Sequence, residues 1–152
     1  MRAIIAAAAT LLLTAQPALA EDKPAKGVQQ QGEASYYRGG QDGNTRTATG
    51  EPVDPNSNTA ASRDLPLGTE ATVTNERTGQ STDVRINDQG PARKDRVIDL
   101  SRKAAEDIGM EKSGTAPVTI EADPAKQKDP KVRQQLEQLG ERPSGDTAPP
   151  RQ

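Results

Sequence analysis

The 152-residue sequence contains no histidine, cysteine, tryptophan or phenylalanine, and it contains only two tyrosines. Without histidine or cysteine, the chain cannot build a Ser-His-Asp or Cys-His catalytic site, a His or Cys metal site, or a disulfide. Proton transfer must therefore fall to Asp, Glu, Lys or Tyr. A stacking platform for nucleic acid or sugar is nearly excluded. We expect no metal and no cofactor.

Apolar residues are scarce outside the N-terminus. They make up 31% of the sequence, and fifteen of them lie within the first twenty residues. The remainder is about one quarter apolar, below the usual globular share. Such a composition borders on that of a disordered chain, but the small net charge of −2 argues the other way. Regular patterning of the few apolar residues is therefore needed to specify a fold.

Residues 1–20 have the pattern of a secretion signal. Met1-Arg2 supplies a positive start, a small-apolar run follows, and Ala18-Leu19-Ala20 matches the small-x-small cleavage pattern. The apolar run is too short to span a bilayer comfortably. We expect a signal peptide over 1–20 and an exported, soluble product, periplasmic or secreted. Because no cysteine follows the cleavage pattern, we expect no lipid or membrane anchor.

The rest of the chain divides into three pieces. Residues 21–31 are polar and aperiodic and predict a linker, while residues 32–123 carry the fold. Residues 124–152 are rich in Lys, Gln, Glu and Pro and predict a disordered tail. A short helix is an alternative there, because three apolar residues have helical spacing: Val132, Leu136 and Leu139. The segment 32–123 has a net negative charge, which argues against nucleic acid as a partner.

Short alternating segments separated by turns predict strands over 34–37, 69–74, 82–87, 96–100 and 117–121. One helix is predicted after its N-cap Ser101, with Ala104, Ala105 and Ile108 buried and Gly109 ending it. Several short strands with one helix and no long crossover predict a small closed barrel. The predicted core comprises Val53, Leu65, Leu67, Val73, Val84, Ile86, Val97, Ile98, Leu100, Ile108, Val118 and Ile120.

The densest polar motif is RINDQGP, residues 85–91. Alternation places Arg85 and Asn87 on the face opposite Ile86 and leaves Asp88 at the end of the strand. Asp88 is then either an acid oriented and tuned by its polar neighbours or a cap of the turn that follows. Residue spacing alone leaves both interpretations open.

Two further carboxylates are candidates. Asp99 lies between apolar residues at a strand-to-helix junction, where it either accepts backbone N–H groups or is a partly buried acid. Glu51 lies on a polar loop and, taken alone, has the character of a solvated surface charge. Carboxylates can cleave a glycosidic bond without histidine or metal. Where the sugar's own 6-hydroxyl replaces water, as in a lytic transglycosylase, one well-placed acid suffices.

Seven stretches support a more specific interpretation: GEASYY (32–37), TATGE (47–51), LPLGT (65–69), VTN (73–75), VRINDQGP (84–91), VIDLS (97–101) and IGM (108–110). In order and spacing they resemble the rare lipoprotein A family, septal lytic transglycosylases of the bacterial envelope. The resemblance implies a small six-stranded double-psi β-barrel with one or two short helices and disordered tails. The implied substrate is peptidoglycan glycan poor in stem peptides, cleaved to 1,6-anhydro-muramic ends.

The resemblance also implies roles for individual residues. The family's motif acids fall on Glu51 and Asp88, and Asp99 matches an acid shared with related barrels, including expansins. We expect Asp88 to act as general acid and base, with Glu51 and Asp99 supporting charge and substrate. We expect four residues to contact the glycan: Tyr37, Ser62, Arg85 and Asn87.

The sequence departs from the family pattern at several points. Ser62 stands where the family usually has histidine, and Tyr36-Tyr37-Arg38 replaces Trp-Tyr-Gly. The lipid-bearing cysteine and the C-terminal glycan-binding repeat domain are not found. The alternative is a non-catalytic, expansin-like barrel that binds glycan in the same groove. The acids favour the enzyme, whereas the missing histidine and aromatics favour the binder.

Overall fold

The computed structural model describes residues 26–37 and 46–142, so the predicted signal peptide lies outside the described residues. Its strands are β1 (Val28–Tyr36), β2 (Thr59–Ser62), β3 (Glu70–Asn75), β4 (Ser81–Asp88), β5 (Arg96–Leu100) and β6 (Thr115–Ala122). Its helices are α1 (Arg102–Asp107), a 3-10 helix (Pro124–Lys126) and α2 (Pro130–Gly140). Within those two ranges, no helix combines the length and apolar character needed to cross a bilayer.

The six strands close into a barrel in the order β1-β5-β2-β4-β3-β6. The pairs β1–β5 and β2–β4 are parallel, and the other four are antiparallel. Parallel partners need a crossover between them, and here the connection from β2 to β4 contains β3. The predicted six-stranded barrel is confirmed.

Two strand predictions need correction. β2 was not predicted, because all four of its residues are buried and the segment therefore lacks polar–apolar alternation. The predicted linker over 21–31 is wrong for residues 28–31, which belong to β1. Their backbones pair with the C-terminal part of β6, where Val28 lies opposite Ala122, the last residue of that strand. This pairing satisfies backbone hydrogen bonds without demanding apolar side chains.

The barrel interior is filled by small aliphatic residues. Nine of the twelve predicted core residues are buried, and Val53, Leu67 and Val97 are partly buried. Alanines supply much of the remainder: Ala34, Ala60, Ala71, Ala116 and Ala122 on the strands, and Ala104 and Ala105 on α1. A six-stranded barrel has a narrow interior, because barrel diameter grows with strand number. A chain without Phe or Trp can therefore fill it.

The close approach of β1 and β5, which are paired in parallel, depends on a glycine. A Cβ atom built on Gly32 would lie 2.4 Å from Cγ1 of Val97, so a side chain there would push the two strands apart. The pairing register shifts immediately afterwards, between Glu33 and Ala34. This close approach sets the position of the end of β1 that carries Ser35.

The predicted helix start is confirmed at α1. Ser101 is the N-cap, and its Oγ accepts a hydrogen bond from the backbone N–H of Ala104 at 3.2 Å. Gly109, with φ of +69°, follows the end of the helix. Arg102–Glu106 and Lys103–Asp107 form i,i+4 ion pairs along it.

The prediction of a disordered tail from residue 124 is wrong for residues 124–142. Val132 and Leu136 of α2 are buried in the barrel's apolar cluster, and Leu139 packs against it. Asp129 caps α2 by accepting from the backbone N–H of Lys131 at 2.8 Å. The three apolar residues at helical spacing thus form one face of α2, and that face packs on the barrel. Composition alone could not show this packing. Residues 143–152 lie outside the described residues.

Candidate active site

Strand register brings two of the predicted acids onto one row. Ser35 of β1 pairs with Asp99 of β5, Asp99 pairs with Ala61 of β2, and Ala61 pairs with Asp88 of β4. Directly paired residues project their side chains to the same face of a sheet. With strands about 4.8 Å apart, the backbones of Asp88 and Asp99 lie about 10 Å apart across Ala61. The two acids therefore face the same patch of the outer surface.

An irregularity in β4 decides the direction of Asp88. Ile86 pairs with Ala60, but the next residue of β2, Ala61, pairs with Asp88, so Asn87 is an extra residue. Regular alternation would point Asp88 inward beside Ile86, which is fully buried. The extra residue turns Asp88 outward, as β-bulges commonly do beside active sites.

The loop before β2 folds onto the end of β4 and holds Asp88. Asp88 Oδ1 accepts hydrogen bonds from the backbone N–H groups of Ala48 at 3.0 Å and Gln89 at 2.9 Å. The backbone N–H of Thr49 donates to the Asn87 carbonyl at 3.2 Å. Asp88 Oδ1 therefore does cap the turn, while Oδ2 accepts no hydrogen bond from the residues described. One oxygen positions the carboxyl group and leaves the other available.

Glu51, on the same loop, is bound by β4. Arg85 donates to both of its carboxylate oxygens, at 2.9 and 2.8 Å, and Asn87 Nδ2 donates to Oε2 at 3.3 Å. These bonds, that of Arg85 above all, hold the pKa of Glu51 below its ordinary value. Glu51 is therefore a fixed anion rather than a solvated surface charge, and the partner of Arg85 is Glu51 rather than Asp88.

Asp99 is held by β1 and by its own strand. The Ser35 hydroxyl donates to Asp99 Oδ1, and Arg96 donates to Ser35 Oγ at 2.7 Å. The guanidinium of Arg96 lies 3.8 Å from Asp99 Oδ1. Asp99 does not cap α1, since Ser101 performs that role. A buried serine therefore links this carboxylate to its arginine.

Tyr37 lies among the carboxylates. Its hydroxyl is 2.9 Å from Thr59 Oγ1. Burial raises the pKa of Tyr37, and the negative charges of Asp88, Asp54 and Asp99 raise it further against the lowering effect of the Thr59 hydrogen bond. The phenol remains protonated at neutral pH and can donate a hydrogen bond to a sugar oxygen.

Ser62 lies apart from the other predicted residues. It is 1% exposed, and its Oγ accepts from the backbone N–H groups of Asp64 at 3.3 Å and Leu65 at 3.2 Å. Ser62 pairs with Ile98, which faces the interior. A glycan contact from Ser62 stays a prediction, and it would require this turn to open.

Several residues of the site were not predicted from the sequence. Ser35 and Arg96 hold Asp99, yet they are 61 positions apart and meet only through parallel pairing. Arg63 donates to the backbone carbonyls of Pro91 and Arg93, on the loop between β4 and β5, and of Arg96, the first residue of β5, at 2.7, 2.9 and 2.9 Å. Arg63 therefore fixes the loop that connects Asp88 to Asp99. Nothing in the local sequence distinguishes it from a surface arginine.

This arrangement, with three carboxylates and a neutral phenol on one outer face, suits acid–base chemistry on a hydroxyl-rich substrate. A family model described as "Lytic transglycolase" matches residues 29–120, more than half of the sequence. The chain belongs to this family. Its barrel is the double-psi β-barrel that the motif resemblance predicts.

Curated relatives of this lytic transglycosylase family share the same region. The "Probable endolytic peptidoglycan transglycosylase RlpA" of a Nostoc strain is 55% identical over 92 residues, 60% of this chain and 25% of the relative. The "Endolytic peptidoglycan transglycosylase RlpA" of Neisseria meningitidis is 45% identical over 92 residues, 60% of this chain and 38% of the relative. The chain thus matches only a minor part of each relative's length.

Solved structures show the same fold at low identity. A Streptomyces papain inhibitor has a TM-score of 0.53 at 22% identity, covering 66% of this chain and 99% of its own. An expansin variant of Clavibacter michiganensis, solved with cellohexaose, has a TM-score of 0.50 at 23% identity, covering 62% of this chain and 50% of its own. At these identities the likeness concerns the fold alone.

Proposed function

We propose that this protein is an exported lytic transglycosylase that cleaves peptidoglycan glycan strands poor in stem peptides and leaves 1,6-anhydro-muramic ends. The observation that carries the proposal is the position of Asp88 on the outer face. Its Oδ1 is held by two backbone N–H groups, and its Oδ2 accepts no hydrogen bond within the described residues. The names of the curated relatives support the reaction class. The sequence pattern of residues 1–20 supports export.

Asp88 serves both proton transfers. In its protonated form it donates a proton to the oxygen that joins the muramic acid residue to the next sugar, and the bond from that oxygen to the anomeric carbon breaks. The 6-hydroxyl of the same muramic acid residue then attacks the anomeric carbon and passes its proton to Asp88. No water is consumed, and Asp88 ends in the protonation state in which it began.

The two other carboxylates stabilise charge. Positive charge develops at the anomeric carbon and ring oxygen as the bond breaks. Glu51 stays ionised because Arg85 and Asn87 hydrogen-bond its carboxylate, so it contributes a fixed negative charge rather than a proton. Asp99, positioned by Ser35, supplies a second carboxylate on the other side of Ala61.

The proposal is tested by incubating the protein with glycan strands stripped of stem peptides and measuring anhydro-muramic ends by mass spectrometry. We expect product from the natural protein and about 10²–10⁴-fold less from Asp88→Asn, because the amide cannot transfer the proton. Asp95→Asn, an exposed aspartate on the following loop, is the matched control and should leave the rate unchanged. Product at the natural rate from Asp88→Asn would contradict the role of Asp88.

A non-catalytic, expansin-like glycan-binding barrel is the second candidate. It is favoured by Ser62, which is buried and uncharged where the family usually has histidine. In the same experiment, strands that co-sediment with the protein and yield no anhydro ends would establish this alternative and overturn the enzyme.

A further inference from the structure

The candidate active site carries three carboxylates, yet the proposed substrate is itself an anion. Once stem peptides are removed, each muramic acid residue ends in a free lactyl carboxylate. That group belongs to the same sugar ring whose anomeric carbon is attacked, so it enters the site close to Asp88. Because like charges repel at short range, the site needs a cation beside its acids that is not already paired.

Most arginines around the site already face a carboxylate. The pairs, at 2.8, 2.7 and 3.8 Å, are Arg85–Glu51, Arg93–Asp95 and Arg96–Asp99. The charges of these arginines are offset within the protein, so they attract an anionic ligand only weakly.

Arg63 is a cation of a different kind. It is the first residue after β2 and follows Ala61, the residue between Asp88 and Asp99 on the outer row, by two positions. Two strand residues span about 7 Å, and alternation returns the second side chain to the same face. Arg63 is exposed there. Among the described residues, no carboxylate lies within ion-pair distance of its guanidinium.

Three hydrogen bonds hold the Arg63 guanidinium in place. Nη1 donates to the carbonyls of Pro91 and Arg93 at 2.7 and 2.9 Å, and Nη2 donates to that of Arg96 at 2.9 Å. Neutral carbonyls fix the group without cancelling its charge. A guanidinium has five N–H donors, so two of them, including that of Nε, have no partner in the part of the chain that the structure describes. A fixed cation with free donors binds a carboxylate at a low cost in conformational entropy.

Two other cations on the loops that border the site lack a carboxylate partner within the described ranges: Arg46 and Lys94. Arg46 donates one hydrogen bond, to the Gly50 carbonyl at 2.8 Å. The Lys94 ammonium donates none to a described residue. Both side chains must lose more freedom than Arg63 to bind an anion. Arg63 is therefore the cation best positioned for this role.

We propose that Arg63 binds the lactyl carboxylate of the muramic acid residue at the cleaved bond and so selects strands poor in stem peptides. The assignment rests on the proposed function, since it names the substrate group that the same site recognises. Where a stem peptide is attached, the lactyl carboxyl group is an amide. An amide has no negative charge for Arg63 to bind, and the peptide that follows it occupies the space beside the guanidinium.

The test compares two ligands that differ only in charge. One is a tetrasaccharide of alternating N-acetylglucosamine and N-acetylmuramic acid, and the other is the same tetrasaccharide with its carboxylates converted to primary amides. Calorimetric titration measures their affinities for the Asp88→Asn protein, which cleaves too slowly to consume them. We expect the carboxylate form to bind about tenfold more tightly. Added sodium chloride should reduce this ratio by screening the charges.

Substitutions assign the preference to one residue. Arg63→Gln in the same protein should reduce the affinity ratio to about twofold or less. Arg63→Lys, which keeps the charge but loses the planar fork, should reduce it about threefold. The matched control is Arg93→Gln, because the charge of this arginine on the neighbouring loop is already offset by Asp95; it should keep the full ratio. Since each ratio is taken within one variant, a general loss of affinity cancels.

The assignment and the proposed function fail separately. Equal affinity for the two ligands, or an unchanged ratio in either Arg63 variant, overturns the assignment. A ratio reduced as strongly by Arg93→Gln or Arg46→Gln as by Arg63→Gln also overturns it. Anhydro product formed without a carboxylate preference refutes the role of Arg63 alone. A carboxylate preference that depends on Arg63, without anhydro product from the natural protein, refutes the proposed enzyme alone.

Discussion

Two arginine–carboxylate clusters flank β2 on the outer face, and they are built differently. Arg85 binds Glu51 directly through both terminal guanidinium nitrogens, Nη1 and Nη2, at 2.9 and 2.8 Å. Arg96 reaches Asp99 mainly through Ser35, to which it donates at 2.7 Å. The same pair of residue types thus yields one anion locked by direct contact and one positioned through a hydroxyl.

Chain geometry explains the difference. Glu51 comes from a loop that can approach Arg85 head-on, which allows the parallel fork geometry of a bidentate pair. Asp99 and Arg96 lie three residues apart on β5, and successive side chains of a strand point to opposite faces. They cannot meet head-on, so Ser35 from β1 bridges them. The orientation of Glu51 should therefore depend on the planar guanidinium of Arg85 more strongly than the orientation of Asp99 depends on that of Arg96.

The largest effect in this comparison is expected for arginine-to-lysine changes. Arg85→Lys replaces a planar fork with a single ammonium group, so Glu51 loses its fixed orientation. We expect a loss of activity on the order of tenfold, since displacement of a catalytic group by 1 Å can cost about 10²-fold. Arg96→Lys should stay within about threefold, because one donor to Ser35 suffices. The rate of anhydro-end formation is measured for both variants. Equal losses of activity would show that the two clusters depend equally on the arginine guanidinium.

A smaller effect is expected at Ser35, which is 5% exposed. Ser35→Ala removes the bridge and leaves Asp99 and Arg96 without their common partner. We expect the free energy of unfolding to fall by about 1–2 kcal/mol in urea denaturation. Ser81→Ala, at an exposed serine of β4, is the control and should change it by less than about 0.5 kcal/mol. An unchanged midpoint for Ser35→Ala would mean that Arg96 binds Asp99 without the bridge.

The smallest effect concerns pH. The pKa of Glu51 is lowered in the folded protein, so its ion pair stabilises the fold above the ordinary glutamate pKa of about 4.3, and this stabilisation is lost as pH falls through the lower folded value. Glu51→Gln should therefore lower the melting temperature at pH 6, and the difference from the natural protein should shrink by pH 3. Calorimetry at pH 6 and pH 3 measures this difference in melting temperature. A difference of equal size at both would contradict the pairing.

Much of the fold was predictable because its signals are local. Alternation located β3 to β6 and the N-cap located α1, since both patterns depend on neighbours a few positions apart. β2 has no alternation to detect, because both of its faces are covered. The first residues of β1 and the helix α2 were predicted as linker and tail. Their partners, β6 and the apolar cluster of the barrel, form only when the chain folds.

The sequence by itself determined which chemistry is open to this protein. It has no histidine or cysteine, and its candidate acids Glu51, Asp88 and Asp99 stand in the family's motifs. Tertiary structure decided how those acids are oriented and which residues hold them. An extra residue in β4 turns Asp88 outward, Arg85 pairs with Glu51, and Ser35 holds Asp99. Such choices depend on strand register and on contacts between distant segments, and neither is encoded in spacing along the chain.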